Sequence, residues 1–392
     1  MPSSNSECAD HRTDGQEARG ESGGAALAPE PDGSWVQSVR QLIHHLGPHV
    51  HWRDFGRVPG RRDAPGSRAV ALAAAAFDDL PYGFLDQSAR QGELIDELAK
   101  RHGNGSALAF RLLCLSEFVD LPQLEQVLPR AAIDELTEAG LLIRQRGRVA
   151  AAIRFVPYGD GYYLTDSLRM GDNRLVDGIQ PVYLNFETHE QVLFLKRMLE
   201  RRPAQRALEV GCGTGLVTLE LRGHVAQREG IDLHGRSVAF AKINATLKGD
   251  STVRFYQSDL LKEVSGKFDL IVFNPFKFTL ETLGFAREFF DQCFQHLNPH
   301  GVVVLVFHAE TLHGRDPVFR EISRMLERSG RGATRTFFES ALAAEGLVAS
   351  VSFLAVEKST GVAKVSTRWD RQYFRFALRC VYGLIRVGLG SR

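Results

Sequence analysis

The sequence predicts an α/β protein, a doubly wound parallel sheet preceded by a mostly helical module, on three observations. From about residue 186 short apolar runs recur, RALEVGC, GIDL, VRFYQSD, FDLIVFN and GVVVLVF, with helical segments between them. That alternation is the rhythm of parallel strands covered by helices on both faces. The first run passes through a glycine-dense turn straight into a helix, as a strand does at the ligand-binding edge of such a sheet. Ahead of residue 165, by contrast, apolar residues recur at helical spacing, and β-like runs come only at the end.

Length and composition set the bounds. At 392 residues the chain is long for one domain and comfortable for two. With 44% hydrophobic and 24% charged residues it has the balance of a globular protein. The formal net charge of +1 points to no polyanionic partner, so any electrostatic partner must be drawn by a local patch. The five cysteines are scattered without a C-x-x-C pair, which suggests neither a disulfide framework nor a zinc site; no metal is expected. No signal-peptide core and no run of ~18 apolar residues is found, and a cytoplasmic protein is the expectation.

Three segments follow in order. Residues 1–34 are rich in Ser, Gly, Glu, Asp and Pro and are expected to be a disordered tail. Residues 35–165 are expected to form the helical domain. Its first helix runs from Trp35 on the spacing of Val36, Val39, Leu42, Ile43 and Leu46. Three or four further helices end in LLIRQRGRVAAAIRFV and GYYLTD, which together spell a winged-helix-like module. DNA binding is not expected of it, because residues 67–155 carry ten Lys/Arg against twelve Asp/Glu, and a net of −2 attracts no phosphate backbone. Residues 166–392 are expected to hold the sheet, with later helices at PVFREISRMLERSG and FFESALAAEG and a strand at LVASVSFLAVEK.

The chemistry sits at the strand ends. The strand ending at Val210 enters Gly211-Cys212-Gly213-Thr214-Gly215, where glycines permit a sharp turn and a ligand approach closer than a Cβ allows. Asp232 ends the second strand about twenty residues on, where a carboxylate can accept both hydroxyl hydrogens of a ribose. Asp259 ends the third, within reach of an adenine amino group. Either acid could instead cap the following helix. Cys212 reads as a small filler.

These residues resemble the class I S-adenosylmethionine-dependent methyltransferases, whose first motif commonly reads E/D-x-G-x-G-x-G, as Glu209-Val-Gly211-Cys-Gly213-Thr-Gly215 does here. The resemblance covers roughly residues 186–310. It implies a Rossmann-like methyltransferase sheet, S-adenosyl-L-methionine as cofactor, Glu209, Gly211, Gly213 and Gly215 around its methionine part, Asp232 on its ribose and Asp259 near its adenine. A nicotinamide dehydrogenase would carry G-x-G-x-x-G instead.

The fourth strand ends Phe273-Asn274-Pro275-Phe276-Lys277-Phe278. Methyltransferases of planar nitrogens, including the release-factor glutamine methyltransferases, end this strand in Asn-Pro-Pro followed by Tyr or Phe. There the Asn accepts from the target NH₂ and the ring stacks on its plane. Alignment of the nitrogen lone pair for in-line displacement supplies much of the rate. Here Asn274 and Pro275 match, while Phe276 replaces the second Pro and Lys277 the aromatic. Either a residue is deleted and Phe276 stacks, or the pocket is rebuilt.

The layout as a whole resembles a group of two-domain bacterial enzymes with the small-methyltransferase domain, whose substrates differ widely. The acceptor is expected to be a small molecule or a protein, and a homodimer is a further expectation. Two other readings stand beside the nitrogen acceptor. One is O- or N-methylation of a biosynthetic intermediate with His308 as base and Glu310 nearby at the carboxyl edge of the sheet. The other is a cofactor-sensing winged-helix regulator. In the approach segment, Glu187 or His189 is a candidate ligand contact on a helix N-terminus. Residues 361–392 carry a net of +6, and Arg368, Arg371, Arg375, Arg379 and Arg386 would share one face of a helix, an anion-binding candidate.

Overall fold

The computed structural model describes residues 31–55, 88–167, 182, 184, 186–275, 283–309, 317–328, 333–338, 350–357 and 365–369. The expectations placed on residues 1–30, on Phe276, Lys277, Phe278 and Glu310, and on the basic segment beyond Trp369 lie outside these residues.

The chain opens with helix α1 (Ser34–Leu46), a short 3₁₀ turn and α2 (Trp52–Phe55). Then come α3 (Ser88–His102), α4 (Asn104–Leu113), β1 (Val119–Asp120), α5 (Leu121–Leu124), α6 (Arg130–Glu138), β2 (Leu142–Gln145) and β3 (Arg148–Ala151). The last three strands form a small antiparallel sheet in the order β1-β3-β2. The first β-like run holds a tight hairpin that the apolar pattern hid: Arg146 and Gly147 adopt φ of 50° and 76°, so the chain reverses there. A second hairpin pairs β4 (Ile153–Tyr158) with β5 (Gly161–Asp166).

The large sheet begins after α7 (Phe186–Arg201) and contains β6 (Arg206–Val210), α8 (Leu216–Glu220), β7 (Gln227–Asp232), α9 (Gly235–Leu247), β8 (Val253–Gln257), β9 (Phe268–Phe273), α10 (Leu283–His296) and β10 (Leu297–Ala309). Strands β8, β7, β6, β9 and β10 lie side by side and parallel. Side chains alternate between the faces, as a pleated strand requires. Leu208, Ile271, Phe273, Val303 and Leu305 pack with Phe289 and Phe290 of α10 on one face. Ala207, Leu270, Val272, Val302 and Val304 pack with Val192 and Leu195 of α7, Val217 of α8 and Ala241 of α9 on the other. Helices therefore cover both faces, and the strands read as near-continuous apolar runs for that reason.

Beyond β10 the sheet departs from the wholly parallel expectation. After α11 (Pro317–Arg328), β11 (Ala333–Phe338), β12 (Ser350–Glu357) and β13 (Val365–Trp369) extend it to eight strands, with β12 antiparallel to both β10 and β11. Phe337 and Phe338, expected in a helix, belong to β11, where both pair with β12. Arg368, expected on a basic helix, lies in β13 opposite Thr336. Ladder pairing with distant strands overrides local propensity at both places.

The N-terminal helices share a core with the large sheet's own helix. Phe240 and Ile243 of α9 pack among Trp35, Val39, Leu42 and the other buried residues of that region, with Trp35 edge-on to Phe240 at 6.4 Å. The β4–β5 hairpin is bonded to the same helix. Leu164 N–H donates to Asn244 Oδ1 (2.8 Å) and Asn244 Nδ2 donates to the Leu164 carbonyl (3.1 Å). Arg236 pairs with Asp166 with both side chains at most 3% exposed.

Candidate functional site

Strand order decides where the site forms. In a doubly wound sheet, connections leave in opposite directions on either side of one strand, and a crevice opens at the carboxyl ends there. Here that strand is β6, flanked by β7 and β9. Val210 pairs with Phe273, so Gly211 and Asn274, one residue further along each strand, stand side by side at the edge. Two motifs sixty-odd residues apart in sequence thus meet in one cleft. Its lining includes Gly211, Cys212, Gly213, Thr214, Asp232, His234, Asn274 and Pro275.

The glycine turn is built for backbone, not side chains. Gly211, Gly213 and Gly215 have φ of 68°, 52° and 76°, a region that costs an L-residue strain. A Cβ at Gly213 would meet nothing within 4 Å, which leaves an open cradle above the turn. A Cβ at Gly215 would instead stand 2.7 Å from the Phe255 ring and 3.0 Å from the Ala241 Cβ. Gly215 is therefore a packing glycine that lets α8 approach β8 and α9, and it does not line the cleft.

Asp232 holds this turn from the next strand. One carboxylate oxygen accepts the Gly213 N–H and the other the His234 N–H, each at 2.9 Å, and the residue is 8% exposed at the cleft wall. Asp259 is placed differently. Its side chain is about half exposed, pairs with Lys262 three residues on, and is not part of the cleft lining.

Glu209 lines the cleft yet faces inward, where Oε2 accepts the N–H (2.9 Å) and hydroxyl (2.5 Å) of Thr218 in α8. Burial pushes its carboxyl up to about 8 against the pull of those two hydrogen bonds, so it carries its proton at neutral pH. Cys212 is buried, and burial, reinforced by Asp232 and Glu209, drives its thiol far up, as befits a filler and not a nucleophile.

The acceptor edge is partly described. Asn274 and Pro275 are half-buried, and Asn274 Nδ2 donates to Gln191 Oε1 at 3.4 Å. His308 lies in β10 opposite Val351. The side chains of His308, Glu187 and His189 lie outside the described set.

Several residues that the sequence did not single out belong to the site. Val182 and Leu184 roof the cleft. Val182 is fixed by two 2.8 Å bonds with Asp166, whose backbone N–H donates to its carbonyl and whose carboxylate accepts its N–H. Asn244 Nδ2 also donates to the Thr214 carbonyl (3.0 Å), tying the glycine turn to the hairpin. The Thr214 hydroxyl and Gln191 Nε2 are buried in the cleft wall without hydrogen-bond partners among the described residues. Leu233, beside Asp232, is 54% exposed, which is unusual for a leucine. Of these, only the apolar residue following a strand-end acid was open to sequence reasoning.

The residues present fit S-adenosylmethionine. An open glycine cradle, a buried hydroxyl lacking a partner, a carboxylate at the end of β7 and an uncovered apolar side chain beside it would hold a methionine portion, a ribose and a purine face in turn. No described helix is long and apolar enough to cross a membrane.

Comparison with known proteins agrees with this geometry. Residues 189–327 match the family described as methyltransferase small domain. The release factor glutamine methyltransferase of Deinococcus radiodurans is 34% identical over 115 residues, 29% of this chain and 41% of that protein. The ribosomal protein L11 methyltransferase of Thermotoga neapolitana is 39% identical over 93 residues, 22% and 32% respectively. The trans-aconitate 2-methyltransferase of Deinococcus radiodurans is 28% identical over 141 residues, 36% and 52%. The chain thus spans only a third to a half of the length of these relatives. Among solved structures, the N-methyltransferase NodS from Bradyrhizobium japonicum in complex with S-adenosyl-L-homocysteine superposes with a TM-score of 0.35 at 23% identity, over 49% of this chain and 91% of that one. The fold assignment rests on the strand order above and not on that superposition. Residues 189–327 of this chain are thus similar to the methyltransferase small domain family.

Proposed function

We propose that the chain is an S-adenosylmethionine-dependent methyltransferase whose acceptor is a nitrogen held at Asn274-Pro275. One observation carries the reading: the Val210–Phe273 register puts the glycine turn and Asn274 side by side at the mouth of one cleft. When bound, S-adenosylmethionine supplies a methyl group on a sulfonium. Gly213 and the Thr214 hydroxyl receive its methionine portion, Asp232 its ribose hydroxyls, and Leu233 offers an apolar floor to its purine. Asn274 accepts a hydrogen bond from the acceptor nitrogen and so aims its lone pair at the methyl carbon. The sulfonium would supply a neutral thioether as leaving group, which takes the C–S electron pair. The nitrogen then sheds one proton to solvent, since an asparagine amide is no base.

The relatives point to acceptors of differing chemistry, two on proteins and one a small acid, so protein amides and small molecules both stay within this proposal. We assign residues 35–165 a winged-helix role as scaffold, supported by the helix, strand, helix, helix, hairpin order and the β1-β3-β2 sheet. Residues 166–392 are then the methyltransferase unit, with the β4–β5 hairpin as the splint between them. The test is Asn274→Ala. Turnover should fall at least ~100-fold while S-adenosylhomocysteine affinity changes less than about threefold. Mass spectrometry of a deletion strain, searched for a missing 14-dalton mark, identifies the acceptor. Unchanged turnover in Asn274→Ala removes the nitrogen-acceptor reading.

A further inference from the structure

Helix α7 lays Val192, Leu195 and Leu199 on the sheet, each at most 4% exposed. Gln191 sits at the start of the 191-195-199 stripe on that face, where helical periodicity calls for an apolar residue, and it is 1% exposed. A buried carboxamide without partners is costly, so a reason for it must be sought in what it faces. It faces the cleft. Its Oε1 accepts from Asn274 Nδ2 at 3.4 Å, and its Nε2 has no partner among the described residues.

Two consequences follow from amide geometry. With Nδ2 committed to Gln191, Asn274 turns its oxygen toward the remaining directions. Gln191 keeps two N–H donors with nothing to receive them. The pair therefore presents an acceptor oxygen and a donor nitrogen together. Exchanging oxygen and nitrogen in both amides would leave one acceptor and one donor but on opposite residues, so the donor role of Gln191 follows from the Asn274 Nδ2 to Gln191 Oε1 bond.

We infer that Gln191 is a positioning and specificity residue of the acceptor site, which fixes the Asn274 amide and donates its own N–H to the acceptor. Such a pair matches a primary carboxamide, whose N–H finds the acceptor oxygen and whose carbonyl finds the donor. An ammonium, which only donates, or an apolar side chain would leave the Gln191 N–H buried and unpaired. The inference rests on the nitrogen-acceptor reading above.

The test uses the full chain loaded with S-adenosylhomocysteine and three probes: N-acetylglutamine N-methylamide, its norleucine counterpart, and adenosine, whose amino group also adjoins an acceptor nitrogen. Binding is followed on the side-chain amide resonances of Gln191 and Asn274. The glutamine probe should bind at least about tenfold tighter than the norleucine probe and shift the Gln191 signals. Gln191→Glu keeps an oxygen for Asn274 but has no donor, and Gln191→Leu restores an apolar stripe. Both should lose about tenfold for the glutamine probe while S-adenosylhomocysteine affinity stays within twofold, and Gln191→Leu should also move the Asn274 amide resonances. Wild-type affinity for the glutamine probe in both variants overturns the inference. So does a wild type that prefers adenosine, or that does not distinguish glutamine from norleucine. Asn274→Ala turnover separates these failures from failure of the site itself, since it does not depend on Gln191.

Discussion

Asp232 ends β7 and Asp259 lies two residues beyond the neighbouring strand β8, yet their surroundings differ. Asp232 is buried at the cleft wall with a backbone N–H on each oxygen. Asp259 is half exposed and pairs with a lysine three residues on. Position near a strand end therefore does not by itself place an acid in the cleft wall. What distinguishes Asp232 is that β7 lies next to the switch-point strand β6, whose glycine turn it grips, whereas β8 is one strand further out, at the edge of the sheet.

The contrast depends on the roof held over Asp232, and this gives the largest expected effect. Asp166 is 3% exposed and receives Arg236 and the Val182 N–H. Asp166→Ala removes the carboxylate that pairs with the buried Arg236 guanidinium and should cost about 3–5 kcal/mol in denaturant unfolding, with weakened S-adenosylhomocysteine binding. A loss below 1 kcal/mol would mean that the hairpin is not a splint of the cleft.

Next comes the difference between two glycines of one turn. Gly215→Ala meets both left-handed strain and the Phe255 ring and should lower stability by about 2–4 kcal/mol. Gly213→Ala meets only strain and should cost about 1 kcal/mol, with its main loss in cofactor affinity. Equal thermal shifts for the two would contradict the separation of a packing glycine from a cradle glycine.

Glu209 sharpens the comparison of acids through pH. Burial pushes its folded-state carboxyl up to about 8, above its ordinary value of 4.5, which favours a proton in the folded protein that the unfolded chain releases. Its contribution is fully present below the unfolded value and is lost as pH rises through 8. Wild-type stability should therefore decline between about pH 5 and pH 8 by up to a few kcal/mol from this group, and Glu209→Gln should flatten that slope in pH-dependent unfolding. An unchanged slope would show that Glu209 is ionised in the fold.

Much of this was legible in the sequence because it is local. The glycine turn, the strand-end acids and Asn274-Pro275 each declare themselves within a few residues, and five parallel strands read as apolar runs because both their faces are covered. What escaped is long-range. Gln191 meets Asn274 across 83 residues and Asp166 meets Arg236 across 70, and neither partner carries a local signal of the other. Phe337 and Phe338 read as helix until β12 pairs with them. The proton on Glu209 is likewise invisible in a string that shows only a glutamate before a glycine turn, since burial on β6 creates it.

The smallest expected effect is Asp259→Ala, which should shift S-adenosylhomocysteine affinity less than about threefold, because its carboxylate lies outside the cleft lining.

Isothermal titration of S-adenosylhomocysteine into wild type, Asp259→Ala and Asp232→Ala compares the two acids in one measurement. Asp232→Ala should bind about a hundredfold more weakly than wild type, a change of about 2.7 kcal/mol, through loss of both its ribose contact and its hold on the Gly213 turn. Undiminished affinity in Asp232→Ala, or an equal loss in Asp259→Ala, would contradict the assignment of this cleft as the S-adenosylmethionine site.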